Sequence, residues 1–422
     1  MKLHRLLVSA AAGILFAIAQ AGPAVAADTS MKKTLDEDQM ANKDCLGCHI
    51  NVTPGIVTQH LGSPHANTKI KQDEVRCHDC HGTKHNTMDD WAKSEMPTAE
   101  TCGECHKKQM KQHKAGKHNL GWLVMKSQIA WHGQPGAITE QGYRGCSGCH
   151  KIGEKGLMGV TDGNMGEVKH DGGKEAAKYR YGNAQCDACH TRHSFKTSEA
   201  KDPRACSNCH MGFDHPQWEM YSSSKHGVRH ALKARGVLPE SSSAPTCQTC
   251  HMPKGDHAVG TAWGFLAVRL PLPEDEQWKN DQVTILQALG VLDPAGKPTG
   301  RLEVVKAARV ANLTQEAWQK QRDEMLTICG QCHTSNFAKA ELAKGDDMIR
   351  QADHLMAEAI RIVAKLYEEG VIAKPESYAH PFPDLLTFHD APTVIEQKLF
   401  VMFLKHRMRA FQGAFHSNPD YT

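Results

Sequence analysis

The chain has 422 residues and a formal net charge of +3, with 40% hydrophobic and 6% aromatic residues. A net charge this small does not indicate nucleic acid as the expected partner. Aromatic residues are scarce for a chain long enough to form two or three domains, which indicates that something other than side chains fills part of the core.

Residues 1–26 have the three parts of a secretory signal peptide. MKLHR is a basic start, LLVSAAAGILFAIAQA is an apolar stretch, and Ala24-Val25-Ala26 is a small-residue cleavage site. An uncleaved N-terminal anchor is the alternative interpretation. No later window approaches the roughly 20 apolar residues of a membrane span. We therefore expect an exported, periplasmic protein that is cleaved after Ala26.

The cysteine pattern predicts the cofactor. All 16 cysteines fall in Cys-x-x-Cys pairs, and a histidine directly follows every pair. In c-type haem attachment the two cysteines form thioethers with the porphyrin and the histidine ligates the iron. The expected attachment residues are Cys45 and Cys48, Cys77 and Cys80, Cys102 and Cys105, Cys146 and Cys149, Cys186 and Cys189, Cys206 and Cys209, Cys247 and Cys250, and Cys329 and Cys332. The expected proximal ligands are His49, His81, His106, His150, His190, His210, His251 and His333.

Zinc sites, redox dithiols and disulfides are the rival interpretations of these cysteines. Zinc would combine two Cys-x-x-Cys pairs and would not require a histidine after each of them. Disulfides in an exported protein require no histidine at all. The sequence therefore predicts eight covalently attached c-type haems. Each ferric haem with two ionised propionates contributes about −1, so the loaded protein is expected to be acidic.

Most of the haems are expected to have a second histidine ligand, as electron-transferring haems usually do. Histidine is so abundant that counting alone cannot show whether any haem keeps an open position. The candidates lie on polar turns or beside small residues, where an imidazole can approach a porphyrin face. They are His65, His85, His118, His132, His193, His226 and His257, with His60, His113, His170 and His230 as alternatives.

Seven of the motifs lie within residues 27–260, which we predict to form a haem-dense domain of short helices and loops. Residues 261–422 carry the eighth motif and are predicted to be a helical region. Its first long helix covers residues 337–370 and ends at Gly370 as C-cap. A second helix is expected to begin near Asp390, with a Thr393 to Glu396 capping box, and to run toward Phe415. The apolar face predicted for the long helix consists of Ile349, Ala352, Met356, Ala359, Val363 and Leu366. The fold class predicted for the whole is therefore mainly α, with haems packed as the core.

The chain resembles the hydroxylamine oxidoreductase-like octahaem cytochromes, a family that includes hydrazine dehydrogenases. Three segments carry the resemblance together with the eight motifs: CHMGFDHPQWEMYSSSKHG (209–227), CHMPKGDHAVGTAWGFLAVRLPL (250–272) and AFHSNPDY (414–421). The motifs alone are less specific, since octahaem tetrathionate and nitrite reductases also have eight haems.

The resemblance implies an active haem on the fourth motif, held by Cys146 and Cys149 with His150 as proximal ligand. It also implies that Asp214 and His215, which follow the sixth motif, line the pocket of that fourth haem. In the family a tyrosine from a neighbouring subunit of a trimer is cross-linked to the porphyrin. Tyr421 is the candidate for that role, although family members usually continue well beyond this point.

The expected activity is the oxidation of hydroxylamine to nitric oxide or nitrite, with Asp214 and His215 accepting protons. A homotrimer and a small soluble cytochrome c as electron acceptor are implied by the same resemblance. Hydrazine is a possible substrate by the shared motifs. The alternatives are the same scaffold acting as an ammonium-forming nitrite or hydroxylamine reductase, favoured if Tyr421 is not the cross-linking residue, and a non-enzymatic electron conduit.

Overall fold

The computed structural model describes residues 43–68, 74–126, 145–158, 168–179, 182–261, 268, 271–307, 309, 311, 314–378, 380–386, 391–418 and 420. The chain divides into two compact units, Met1–Val52 and Thr53–Thr422. The described part of the first unit is one helix, α1 (Lys43–Val52), which carries the first Cys-x-x-Cys-His motif. The predicted boundary at residue 260 stays a prediction.

The N-terminal part of the second unit consists of short helices joined by turns. They are α2 (Pro54–Leu61), α3 (Cys77–His81), α4 (Ala99–Gly103), α5 (Lys107–Ala115), α6 (Gly121–Lys126), α7 (Gly145–His150), α8 (Thr197–Ala200), α9 (Arg204–Ser207), α10 (Gln217–Ser223), α11 (Lys225–Ala234) and α12 (Cys247–His251). Single 3-10 turns cover Met88–Lys93, Lys117–Leu120, Ala176–Lys178, Cys186–Ala188 and Pro253–Gly255. Two short strands, β1 (Leu157–Met158) and β2 (Lys169–His170), pair antiparallel, with Leu157 opposite His170.

Several of these helices coincide with the haem motifs. α3, α7 and α12 each end on the motif histidine. One helical turn places residues i, i+3 and i+4 on the same side. Both cysteines and the histidine can therefore reach a single porphyrin, which explains why the motif folds locally as a turn of helix.

Longer helices follow in the C-terminal part of this unit. They are α13 (Glu276–Ala288), α14 (Gly300–Ala307), α15 (Gln315–Cys329), α16 (Ser335–Glu368), α17 (Val394–Val401) and α18 (Met408–Phe415). A π-helical segment, Met402–Arg407, joins α17 to α18. Their core includes Ile285, Met356, Ile360 and Phe403, all almost fully buried. The mainly α fold class is confirmed.

The two helices predicted from the sequence are present. Gly370 follows the end of α16 with a φ of 69°, as expected of a C-cap glycine. Thr393 caps α17 and forms the predicted capping box with Glu396. The α17 helix begins at Val394, and Asp390 lies outside the described residues.

A buried carboxylate was not predicted for the inner face of α16. Asp353 lies among the apolar residues of that face and is fully buried. It accepts hydrogen bonds from Arg407, Trp278 and Gln282, so one carboxylate joins α13, α16 and the π-helical segment. Of the helices that the structure describes, none is long and apolar enough to cross a membrane.

Candidate haem-binding sites

Six of the motif histidines lie opposite a second histidine ring. The ring centroids of these pairs are between 5.9 and 6.5 Å apart. Two imidazole–metal bonds of about 2 Å each, together with the half-widths of two five-membered rings, place the centroids about 6 Å apart. Each pair is therefore spaced to hold one haem iron between its two rings. The pairs are His81 and His193, His106 and His65, His190 and His257, His210 and His118, His251 and His416, and His333 and His226.

Five of the second rings belong to histidines that the sequence singled out: His65, His118, His193, His226 and His257. The sixth, His416, was missed, because it lies in the helical end of the chain far from any motif. His85 is another of the predicted second ligands, and its Nδ1 lies 2.9 Å from Asp90 Oδ1. His132 lies outside the described residues.

Backbone carbonyls fix the orientation of several of these rings. The Nδ1 atoms of His81, His150, His251 and His416 lie 2.7–3.0 Å from carbonyl oxygens. Since a carbonyl only accepts, each Nδ1 must donate its proton. That leaves the Nε2 lone pair of each ring for a metal.

Burial keeps the deepest of these imidazoles neutral. It lowers the pKa of His118, His210 and His416 to about 4. An imidazole must be deprotonated to bind iron, so these side chains are held in the ligating form at neutral pH.

The cysteines fit thioether attachment better than disulfides, since every cysteine whose side chain is described is free. Cysteines of different motifs nevertheless lie side by side. Cys102 of the third motif is beside Cys186 of the fifth. Cys209 of the sixth is beside Cys149 of the fourth, and Cys206 is beside Cys247 of the seventh. Porphyrins attached at these residues would meet edge to edge, as an electron-transfer chain requires.

The fourth motif differs from the six paired ones. His150, at the end of α7, donates Nδ1–H to the carbonyl of Gly121 at 2.8 Å. Within the described part of the chain no histidine ring lies opposite His150. The side chain of Cys146 and residues 127–144 are outside that part.

Asp214 and His215 lie at this fourth motif. The Asp214 carboxylate is 2.9 Å from His215 Nδ1, and both side chains are about two-thirds buried. Both residues are close enough to act electrostatically on Cys149 and His150. The hydrogen bond from His215 holds the pKa of Asp214 below its usual value, although burial opposes this shift. The pair is therefore a carboxylate bound to an imidazole, an arrangement suited to accepting protons.

A clamped loop carries this pair between the sixth motif and α10. Trp218 N–H donates to the carbonyl of His210, and Gly212 N–H donates to Glu219 Oε1 at 3.0 Å. Gly212 has a φ of 102°, a conformation that favours glycine. Asn208, in the sixth motif, contacts Cys149 Sγ through its carbonyl oxygen at 3.8 Å. The loop is thus anchored to the sixth motif while its side chains lie at the fourth. Tyr421 lies outside the described residues.

Comparisons with known proteins agree with this arrangement. Residues 73–265 and 301–378 match the family described as "Seven times multi-haem cytochrome CxxCH", and residues 17–82 match "Cytochrome c554 and c-prime". A "Probable nitrite reductase-hydroxylamine oxidoreductase fusion protein" from Kuenenia stuttgartiensis is 30% identical over 393 residues. That alignment covers 80% of this chain but only 39% of the relative's length.

Two solved structures share the fold. A chain of the Kuenenia stuttgartiensis reducing HAO-like protein complex superposes with a TM-score of 0.64 at 22% identity, covering 92% of this chain and 83% of that one. A "Hypothetical multiheme protein" gives a TM-score of 0.62 at 21% identity, covering 90% and 91%. The predicted resemblance to hydroxylamine oxidoreductase-like proteins is confirmed by the fusion relative. Since the first family match spans more than half of the chain, this protein belongs to the multihaem cytochromes that bind c-type haem through CxxCH motifs.

Proposed function

We propose that this chain is an octahaem oxidoreductase that oxidises hydroxylamine at the haem of Cys146 and Cys149. The observation that carries the proposal is the contrast between motifs. Six motif histidines have a second imidazole opposite them. Among the described residues no imidazole lies opposite the His150 ring, and the Asp214–His215 pair lies at this motif. A haem with two histidine ligands transfers electrons, and a haem with one can bind substrate.

In this proposal the six pairs are the axial ligands of six electron-transferring haems. The centroid spacings support the assignment of His65, His118, His193, His226, His257 and His416 as second ligands. The Nδ1 proton that His416 donates to a carbonyl also supports the assignment of that residue. His85 and His132 remain proposed ligands as well. With the first and fourth motifs included, eight c-type haems would be attached.

Residues of the chain supply proton handling and positioning at the fourth motif. When bound there, the haem supplies an iron position for the substrate nitrogen and a route for its electrons. Asp214 accepts a hydrogen bond from His215 Nδ1–H, so His215 Nε2 is the atom that would act as the base. The oxidation of hydroxylamine releases protons with its electrons, so a base at the iron position lowers the barrier. The carbonyl of Gly121 accepts His150 Nδ1–H and fixes the orientation of that ring.

A second candidate is the reverse direction, the reduction of nitrite or hydroxylamine to ammonium. The names of two similar proteins favour it: one is a complex called reducing, and the other is a fusion named in part for nitrite reductase. Tyr421, the proposed cross-linking residue, would favour oxidation. A non-enzymatic electron conduit is the third candidate, and a high-spin ferric signal from the holoprotein would contradict it.

Anaerobic rapid mixing separates the first two candidates. The fully oxidised holoprotein is mixed with hydroxylamine while the haem absorption bands are followed. Hydroxylamine oxidation predicts fast reduction that spreads over several haems. In the other arm, dithionite-reduced holoprotein freed of excess reductant is mixed with nitrite. Reoxidation there with ammonium as product, and no reduction in the first arm, would replace the first candidate by the second.

The cellular setting follows from the same proposal. Residues 1–26 would direct export to the periplasm, with cleavage after Ala26. The proposed assembly is a homotrimer, and the proposed electron acceptor is a small soluble cytochrome. Light scattering of the purified holoprotein measures its mass and tests the homotrimer, and N-terminal sequencing tests the cleavage site.

A further inference from the structure

The helix that follows the third haem motif has an unusual surface. α5 begins at the residue after His106, and its sequence KKQMKQHKA contains four lysines and no acidic residue. Lys107, Lys111 and Lys114 are spaced i, i+4 and i+7, so they lie on one side of the helix, and Lys108 borders them. All four are exposed. Together they are called the lysine face.

Other residues of α5 fix the helix by packing and hydrogen bonds. A Cβ at Gly103 would lie 2.9 Å from Met110 Cγ, which shows how closely Met110 packs there. His113 Nε2 is 2.9 Å from Gln185 Oε1, and Gln112 accepts a hydrogen bond from His257 N–H. These contacts set the rotation of the helix. The lysine face is therefore held toward solvent.

Little in the described structure neutralises these charges. Lys114 pairs with Glu100 at 3.1 Å. Among the described residues, Lys107, Lys108 and Lys111 form no salt bridge, although exposed Glu104 lies nearby in sequence. Like charges four residues apart destabilise a helix. Packing within this chain therefore does not account for the lysine face.

The lysine face also lies beside a route to the fourth motif. Cys105 and His106 immediately precede α5, so the third haem would lie directly beside the start of the lysine face. Cys102 is beside Cys186 of the fifth motif. From the fifth motif, Cys189 is near Cys209 of the sixth, which is beside Cys149. Electrons at the fourth haem would thus reach the third through two intervening haems.

We propose that the lysine face is the docking site for an acidic redox protein that exchanges electrons with the haem of the third motif. The inference rests on the proposed electron-transfer role of the haems. One electron passes between the third haem iron and the oxidised or reduced centre of the partner, and no bond forms or breaks. Opposite charge on the two surfaces steers the encounter, and small interfaces suffice for transient electron transfer.

The test measures electron transfer into the haems in the absence of any nitrogenous substrate. Oxidised holoprotein is mixed in a stopped-flow instrument with reduced plant-type [2Fe–2S] ferredoxin, an acidic redox protein, over a range of ionic strengths. We expect the second-order rate constant to fall as salt rises. The triple variant K107E/K108E/K111E should lower the rate constant about tenfold at low salt and flatten its salt dependence.

A matched control reverses three exposed lysines of the C-terminal helical part, Lys297, Lys365 and Lys398. The proposal is overturned if the control slows the reaction as much as the triple variant, or if neither slows it. It is also overturned if the slowing persists at high salt, because the lysines would then act on the haem itself, for example by neutralising its propionates. If the charge-reversed variant binds fewer haems, K107Q/K108Q/K111Q is used and should give a smaller change in the same direction. Hydroxylamine is absent throughout, so failure here and failure of the proposed activity are separate results.

Discussion

The imidazole rings of His251 and His416 lie 6.5 Å apart, although one belongs to the seventh haem motif and the other to the turn after the last described helix. His416 Nδ1 donates to the carbonyl of Gln412 at 2.7 Å, so its Nε2 is available to a metal. Two residues later, Asn418 donates to the carbonyl of Met220 in α10. The C-terminal helices therefore pack against the haem-dense part, and in the proposed assignment His416 would complete the site of the seventh haem.

Replacing His416 by alanine is expected to leave the seventh haem with one protein ligand. The holoprotein should then gain a high-spin ferric signal of about one haem, measured by electron paramagnetic resonance, while the haem content is unchanged. His113→Ala is the control, since the His113 ring is also partly buried but bonds to Gln185. An unchanged spectrum for His416→Ala would remove His416 from the set of iron ligands.

Much of the site could be predicted because haem attachment is local in sequence. Each Cys-x-x-Cys-His motif specifies its own turn of helix, and a histidine beside a small residue such as Gly227 reveals how a ring can approach a porphyrin. His416 gave no such signal, because its proximity to His251 depends on how α18 packs. Asp353 was missed for the related reason that a carboxylate on a buried helix face is paired through residues distant in sequence. The placement of Asp214 at the fourth motif came from family resemblance, since sequence adjacency points to the sixth.

Replacing Asp214 by asparagine tests the proton-accepting pair. An amide no longer stabilises a protonated His215, so hydroxylamine-driven haem reduction should slow by about 10²- to 10⁴-fold, the usual contribution of general acid–base groups. The spectra of the paired haems should not change. Asp202→Asn is the matched control, because Asp202 lies just before the sixth motif in sequence and pairs with surface Arg204. Equal rates in Asp214→Asn and wild type would eliminate the assigned role.

Glu219 is expected to position the loop that carries Asp214 and His215. Its Oε1 accepts the Gly212 N–H, and its Oε2 is buried without a partner among the described residues. Glu219→Ala should speed amide hydrogen exchange in the peptide covering residues 211–217 and weaken cyanide binding at the fourth haem. Glu219→Gln keeps an oxygen acceptor and should restore most of both properties. If glutamine is as damaging as alanine, the negative charge and not the hydrogen bond to Gly212 is what matters.

Lys155 should make stability depend on pH in a defined window. Burial lowers the pKa of Lys155 to about 8. Its Nζ donates to the Gly182 carbonyl and lies 4.7 Å from the Trp122 ring. An unfolded lysine has a pKa of about 10.4, so between these values the unfolded chain binds more protons. Wild-type stability should therefore rise with pH from about 8 to about 10, by about 2 kcal/mol relative to Lys155→Met. Urea unfolding of both proteins at pH 7.5 and 9.5 measures the difference, and parallel pH profiles would contradict it.

Removing one partner of the buried ion pair between Asp353 and Arg407 should lower the free energy of unfolding strongly. Their side chains are 0% and 2% exposed, with Arg407 bonded to Asp353 Oδ1 and with Trp278 and Gln282 bonded to Oδ2. Arg407→Met leaves a buried carboxylate without its cation and should reduce the free energy of unfolding by about 3–5 kcal/mol. Adding Asp353→Asn removes the charge but keeps an oxygen for Trp278, so the double variant should recover much of the loss. Arg350→Ala, which breaks an exposed pair with Asp347, should change stability by less than about 1 kcal/mol. If Arg407→Met and Arg350→Ala shift the urea midpoint equally, the buried pair does not join the C-terminal helices in the way its geometry implies.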